Sequence, residues 1–347
     1  MSSMNPKKYS LFFITNIPSF YKLNLYNAIN EHVPVFVLFT GDLIQERERD
    51  FFNGDFKFDY VSLSGLSKFR QIQCLIRLLR EIKYDELVLG GWDSILLWIS
   101  VMLSPKRRNS VAIESSYLES NMSGVKGALK RLFIRRISRV YASGKSQATL
   151  AKVMGYSGDD IIITKGVGVF NYIQQPPFVE KQVVNKFLYV GRLSEEKNLE
   201  LLISVFNTLP DLELNIVGYG HLKYKLVRMA NANISFIGSV DNKELPRYYQ
   251  SNDVFILPSY SEPWGLVVEE ALNNGLPVIL SDRIGCAEEI LIEGKNGFTF
   301  KWDSESSLLD SIHKIINPEI YNSLSSYIST MDFQEIARRQ INCYIHE

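Results

Sequence analysis

VFILPSYSEPWGLVVEEALNNGLPVILSD, Val254–Asp282, holds an apolar run, a polar loop, an amphipathic stretch and a second apolar run. Both apolar runs are short and bounded by Pro, Ser and Asp, so they read as buried strands. Pro263 just before the middle stretch and Gly275 just after it punctuate a helix from about Gly265 to Asn274. Strand, helix and strand at this spacing make a crossover unit, and crossovers of that kind join parallel strands.

The rhythm continues in both directions. KFLYVGRL, ELNIVGYG, ISFIGSV and GFTF read as further strands, with helices starting at Asn198, His221, Asp241, Ala287 and Ser304. Earlier in the chain, YSLFFIT, VPVFVLF, DELVLGG, SVAIES and RVYASG read as strands; YKLNLYNAIN, KFRQIQCLIRLLREI, DSILLWISVML and GVKGALKRLFIRRIS read as helices. Between the two series lies IQQPPFVEKQVVN, polar and without a clear period, with adjacent prolines. The expectation is an α/β chain of two doubly wound Rossmann-like domains facing each other across a cleft. The first covers residues 1–170, an interdomain linker 171–185, and the second domain 186–316. A helical segment, 317–347, packs back on one of the domains. Ligands of such sheets bind outside the carboxyl ends of the strands.

Composition agrees with this and narrows the partners. The 347 residues suit two domains, and 46% hydrophobic with 22% charged residues is a globular balance. Lys plus Arg and Asp plus Glu both number 38, so global charge gives no argument for nucleic acid. Cys74, Cys286 and Cys343 are too widely spaced for a metal cluster and fit a reducing compartment. Asn16 and Pro18 interrupt the first apolar run, which reads as a strand rather than a signal peptide. Ile95 to Leu103, the longest apolar run, falls far short of the roughly 20 residues of a membrane span. A cytoplasmic protein, at most peripheral to a membrane, is expected.

The chemistry gathers in the second half. In YVGRLSEEKNLELL, Gly191 turns the chain between strand and helix, with Arg192 and Lys197 in the loop. A planar guanidinium and a compact ammonium suit a diphosphate; the alternative is a surface loop in which Lys197 pairs with Glu195 or Glu196. Gly218 and Gly220 supply another strand-to-helix turn where a backbone can approach a ligand. In the opening stretch, Leu266, Val267, Ala271 and Leu272 make the expected buried stripe. Glu270, one turn beyond Leu266, then lies beside it, where the vicinal hydroxyls of a ribose would satisfy its carboxylate. Glu262 precedes the free amides of the first helical turn, which favour an anion such as phosphate. The two acids, about 10 Å apart by helical rise, match the span between the two sugars of a nucleotide-sugar. The alternative is a capping role for Glu262 and a local backbone bond for Glu270. Glu269, turned about 100° from Glu270, is expected to be dispensable for donor binding.

Together VGRLSEEKNLELLISVF, IVGYG, ISFIGSV, VFILPSYSEPWGLVVEEALNNGLPVILSD and GCAEEILIEGKNGFTF resemble the retaining glycosyltransferases of family 4, which have the GT-B fold. IPSFYKLNLYNAI and the stretch from Lys130 to Val167 extend the similarity more loosely into the first half. The resemblance implies transfer of a sugar from a nucleotide diphosphate-sugar with retention, no metal and no cofactor. By it, Arg192 and Lys197 hold the diphosphate, Glu270 the ribose and Glu262 the transferred sugar. Backbone from Trp264, Gly265, Leu266 and Val267 meets the distal phosphate or sugar, and Gly238 to Val240 line the base. Gly191 and Gly218 belong to the same donor-binding set.

The first half departs from the family pattern. TNIPSFYK replaces the glycine-rich loop common in relatives, and His32, His221, His313 and His346 do not stand where the relatives' histidine faces the donor sugar. Glu114, at a carboxyl strand end, is the candidate to replace it, with a cap or turn role as the alternative; Asp93 reads as an N-cap. Lys126, Lys130, Arg131, Arg135, Arg136 and Arg139 fall in one stretch without an acid, with Leu129, Leu132, Phe133 and Ile137 on a helical stripe. That stretch suits either an anionic membrane surface or a helix packed on its sheet with a solvated basic face. The expected partners are therefore a nucleotide-sugar donor and a glycan or lipid-linked acceptor in surface polysaccharide synthesis. The rival functions are a nucleotide-sugar epimerase or hydrolase of the same fold, or a non-catalytic partner subunit.

Overall fold

The apolar runs form the strands of two sheets, parallel throughout, in a computed structural model that describes residues 8–41, 54–117, 120 and 122–345. His346 and the residues ahead of Lys8 lie outside the described residues. The first sheet contains β1 (Lys8–Thr15), β2 (Val35–Phe39), β3 (Asp59–Ser62), β4 (Lys83–Leu89), β5 (Asn109–Ile113), β6 (Arg139–Ala142) and β7 (Ile161–Ile163), in the order β3-β2-β1-β4-β5-β6-β7. Its helices are α1 (Phe20–Asn30), α2 (Lys68–Glu81), α3 (Ile95–Leu103), α4 (Gly124–Ile134) and α5 (Lys145–Val153). Phe12, Ile14, Leu38, Leu87, Leu89, Val111 and Ile113 are all buried, because central parallel strands are covered on both faces.

The second sheet contains β8 (Lys186–Val190), β9 (Glu213–Val217), β10 (Ile234–Gly238), β11 (Val254–Leu257), β12 (Val278–Ser281) and β13 (Gly297–Phe300), in the order β10-β9-β8-β11-β12-β13. Its helices are α6 (Leu199–Asn207), α7 (Lys223–Met229), α8 (Leu245–Gln250), α9 (Leu266–Asn273), α10 (Ala287–Ile290) and α11 (Glu305–Ile315). Then come α12 (Pro318–Ile328) and α13 (Phe333–Ile345). Strand order reverses between β8 and β11, which pair Val254 with Phe187 and Phe255 with Leu188. Such a reversal opens a crevice at the carboxyl ends of the two strands.

The chain divides into one unit of Met1–Val169 with Ile336–Glu347 and a second of Phe170–Glu335. Residues 171–185, read as a linker, count with the second unit. Ile173 N donates to Asn273 Oδ1 at 3.0 Å, Lys181 N to Asn322 Oδ1 at 2.9 Å, and the Lys181 ammonium pairs with Asp253. The second unit also runs past residue 316 to take in α12, and α13 joins the first unit from Ile336 onward. There Tyr344 stacks on Tyr141 with ring centroids 4.4 Å apart.

Three elements escaped the sequence pattern. β3 is an edge strand with mostly exposed residues, β7 has only three, and α5 opens at Gly144 without a side-chain cap. Asp93 does not cap α3; it accepts from Trp92 N at 3.1 Å, and Ser94 takes the Leu96 amide instead.

Candidate active site

The loop after β8 and the loop after β11 meet on either side of the strand-order reversal in the second unit. Two backbone-directed contacts join them. Tyr260 N donates to Glu196 O at 3.0 Å, and Asn198 Nδ2 donates to Pro258 O at 3.2 Å and to Trp302 O at 2.8 Å. Asn198 takes φ of +54°, left-handed space that asparagine tolerates better than most residues. This tie brings together two of the anticipated residues, Lys197 and Glu262, whose ammonium and carboxylate form an ion pair with both side chains largely buried. Neither Glu195 nor Glu196 takes Lys197; Glu195 meets His221 at 3.0 Å, and Glu196 meets Arg192 at 2.8 Å. Desolvation works against the Glu196 carboxylate. The Ser194 hydroxyl, the Glu196 amide and the Arg192 and Lys197 cations outweigh it and hold its pKa below the ordinary value. Tyr189, fully buried in β8, donates its phenol to Arg192 O at 2.8 Å and so fixes the backbone under the guanidinium.

Gly191, Gly218 and Gly238 follow or end β8, β9 and β10 and stand side by side, with Gly191 N bonded to Val217 O at 3.0 Å and Gly218 N to Gly238 O at 2.8 Å. A Cβ on Gly218, at φ +141°, would lie 1.8 Å from Gly191 O, so only glycine lets the two turns approach. Val240 follows two residues later and is partly exposed.

The helix of the opening stretch departs from the expected stripe in its first turn. Gly265, at φ +100°, turns the chain in left-handed space, α9 begins at Leu266, and Val268, Glu269, Ala271 and Leu272 face inward. Leu266 and Val267, expected in the buried stripe, are instead partly exposed at the helix start, because the face packed on β11 and β12 runs through 268, 271 and 272. Trp264 is buried, and its indole Nε1 donates to Glu269 Oε1 at 3.0 Å. Glu270 is partly exposed and accepts from the phenol of Tyr249, on α8, at 3.1 Å, not from a backbone group. Burial raises its carboxyl to about 7, against the opposing effect of the Tyr249 bond. Glu262 is no cap either, for α9 has Gly265 at its N-cap. Its backbone bridges to Ile284, and its carbonyl accepts from Gly285 N at 2.9 Å.

Glu114 belongs to the first unit and is described with its own neighbours. It follows β5 at the carboxyl end, where the first sheet too reverses order between β1 and β4. Its carboxylate pairs at 2.9 Å with the ammonium of Lys22, a side chain 9% exposed, which also reaches Thr15 Oγ1 at 3.3 Å. Desolvation alone would lower the Lys22 pKa; Glu114, Tyr21 and Tyr26 carry it above the ordinary value. Sequence reading missed Lys22, Tyr249 and Glu196. Lys22 lies on the buried side of an ordinary apolar helix, and Tyr249 looks like core. Glu196 alone left a trace, as the acid between two cations.

The basic stretch also divides. Phe133, Ile134 and Ile137 are buried, whereas Val125, Leu129 and Leu132 are 76%, 48% and 51% exposed on one helical stripe. Arg139 is committed to Glu86 at 3.0 Å and Asp160 at 2.7 Å, and Arg136 to the carbonyls of Val101 and Ser104. Among the described residues no helix is long and apolar enough to cross a membrane.

Residues 172–331 match the family described as glycosyl transferases group 1, and the second unit is a domain of that family. The sulfoquinovosyl transferase SQD2 of Arabidopsis thaliana is 42% identical over 117 residues, 33% of this chain and 23% of that protein. The O-antigen biosynthesis glycosyltransferase WbnH of Escherichia coli is 39% identical over 123 residues, 35% of each chain. The matched stretch thus spans about a quarter to a third of the length of these relatives. The fold over nearly the whole chain is GT-B. The structure of Anabaena HepE in complex with UDP-glucose superposes with a TM-score of 0.71, covering 96% of this chain and 98% of that one at 15% identity.

Proposed function

We propose that the protein is a retaining glycosyltransferase of family 4 that moves a sugar from a nucleotide diphosphate-sugar to a glycan or lipid-linked acceptor in surface polysaccharide synthesis. The observation that carries the reading is the Lys197–Glu262 ion pair where the second sheet reverses its strand order, beside the start of α9, with Arg192 held by Glu196 in the same loop as Lys197. Arg192 and Lys197 bind the diphosphate, Glu270 takes the ribose hydroxyls, and the backbone from Gly238 to Val240 lines the base. The amides from Trp264 to Val267 receive the distal phosphate or sugar, and Glu262 orients the transferred sugar through its hydroxyls. The name of WbnH, an O-antigen biosynthesis glycosyltransferase, supports a glycan acceptor as the class to test first.

In this reading the two cations do the work that a divalent ion does elsewhere. As the bond between the anomeric carbon and the diphosphate oxygen breaks, negative charge grows on that oxygen beside Arg192 and Lys197. The acceptor hydroxyl forms its new bond to the anomeric carbon on the face the diphosphate leaves, and its proton passes to the departing phosphate. Lys197 is already held by Glu262, so a donor phosphate arrives at an oriented ammonium. Glu114, paired with Lys22, is the acceptor-side candidate in the first unit. The test is a panel of UDP- and GDP-sugars assayed for transfer to glycan and lipid-linked acceptors and, separately, for hydrolysis and epimerisation. Transfer with the anomeric configuration kept is the expected result; hydrolysis or epimerisation without transfer would select the rival enzyme.

The exposed stripe of α4, with Lys126 and Arg135 beside it, supports a peripheral seat on the inner face of a membrane. The double substitution Leu129→Ser and Leu132→Ser is expected to weaken binding to phosphatidylglycerol-containing vesicles at least tenfold in a sedimentation assay. Melting temperature should fall only slightly, because about half of each side chain is already in water.

A further inference from the structure

Glu269, which its position around the helix marks as dispensable for donor binding, is the acid that α9 buries, at 5% exposure. Its carboxyl oxygen accepts the indole N–H of Trp264, itself 3% exposed, across the left-handed turn at Gly265. The other side of the same turn is tied to the segment before α10. Cys286 N donates to Trp264 O at 2.9 Å, the Cys286 thiol approaches Gly265 O at 3.8 Å, and Gly285 N donates to Glu262 O at 2.9 Å. The turn from Glu262 to Leu266 is therefore held by backbone bonds on one flank and by the Trp264–Glu269 bond on the other. An aliphatic side chain at 269 would fill the space and leave the indole N–H without this acceptor.

We propose that Glu269 is a positioning residue for the donor: by holding the Trp264 indole it fixes the backbone amides of Gly265, Leu266 and Val267 in the orientation that receives the donor's distal phosphate or sugar. The inference rests on the donor-site reading above and adds to it the residue that preorganises the helix start. Glu269 acts through Trp264 and touches no substrate itself. The groups around its carboxyl are Trp264, Glu270 on the same helix, the Tyr172 phenol from the segment ahead of β8 and the buried Cys286 thiol. Trp264 supplies a neutral N–H, and none of the other three is a cation. Desolvation, opposed by the Trp264 bond and helped by Glu270, raises the Glu269 carboxyl to about 8. Near neutral pH it is thus mostly uncharged and still accepts from the indole. Above that range it becomes an anion close to the site of the donor's phosphates.

The test compares wild type with Glu269→Gln, Glu269→Leu and Trp264→Phe, measuring UDP and GDP affinity by calorimetry from pH 6 to 9 and donor KM and kcat in the transfer assay. Glutamine keeps the acceptor and cannot ionise. At pH 7 Glu269→Gln should match wild type, while Glu269→Leu and Trp264→Phe should each weaken nucleotide affinity or raise donor KM about tenfold, with a smaller effect on kcat. Combining Trp264→Phe with Glu269→Leu should add little to either alone. Above pH 8 wild type should lose affinity and Glu269→Gln should not, a readout that stands even where Glu269→Leu fails to fold. Glu269→Leu binding and turning over donor as wild type does, or the same alkaline loss in wild type and Glu269→Gln, overturns the proposal. Wild type binding neither UDP nor GDP overturns the donor-site reading on which it rests.

Discussion

Lys197→Ala is expected to lower kcat for sugar transfer about 100- to 1,000-fold, the cost of removing one preoriented donor from a developing oxyanion. The side chain is only 12% exposed, so its charge acts where water screens little, and it lies in the loop that the β8 strand end presents to the crevice. The same change leaves the Glu262 carboxylate without its cation, so part of the loss comes through misplacement of the sugar. Lys197→Arg separates the two effects, since it keeps the charge and the pairing with Glu262 but changes the reach. A partial rescue by arginine in kcat, with Lys197→Ala melting below wild type because Glu262 loses its cation and Lys197→Arg recovering most of that loss, is the expected pattern in steady-state kinetics and thermal melts. Arg192→Ala should cost less, because its side chain is 27% exposed and so better screened by water than Lys197.

Glu114→Ala should lower the stability of the first unit by roughly 3 kcal/mol, because it strands a buried ammonium. Thr15 is the hydrogen-bond acceptor left to Lys22, at 3.3 Å. At about 2–4 °C per kcal/mol for a unit of this size, melting should fall by about 6–12 °C. The double variant Lys22→Met with Glu114→Gln removes both charges and keeps the volume, so most of that loss should return. Calorimetric melts of the three proteins check this, and a Glu114→Ala protein as stable as wild type would show the pair to be dispensable. The double variant also yields a folded protein in which acceptor kinetics test the catalytic candidacy of Glu114.

Much of the second unit is legible because its strands are short apolar runs closed by Gly, Pro, Ser or Asp, and β8 to β13 fall within the runs that the pattern marks. β3 is illegible for the opposite reason: an edge strand facing water carries Asp, Tyr, Val and Ser and has no run to show. At the site, residue types and loop positions are written in the sequence, but pairings are not. Lys197 stands beside two glutamates in the chain and takes neither; its partner is Glu262, brought close only when β11 docks beside β8. Lys22 and Glu114 meet across the ends of strands that spacing alone cannot align. The inner face of α9 departs from the expected stripe only in its first turn: behind the left-handed N-cap Gly265, Leu266 and Val267 stand partly exposed, and the packed face runs through Val268, Glu269, Ala271 and Leu272.

The most direct measurement is calorimetric titration of UDP and GDP into the wild-type protein, Lys197→Ala and Glu270→Ala, with the corresponding monophosphates and free nucleosides as comparisons. The account predicts that a nucleoside diphosphate binds wild type well above its monophosphate, that Lys197→Ala erases most of the advantage of the second phosphate, and that Glu270→Ala weakens diphosphate and nucleoside alike through the ribose. Equal affinity of all three proteins for the diphosphate, or no binding to wild type, would contradict it.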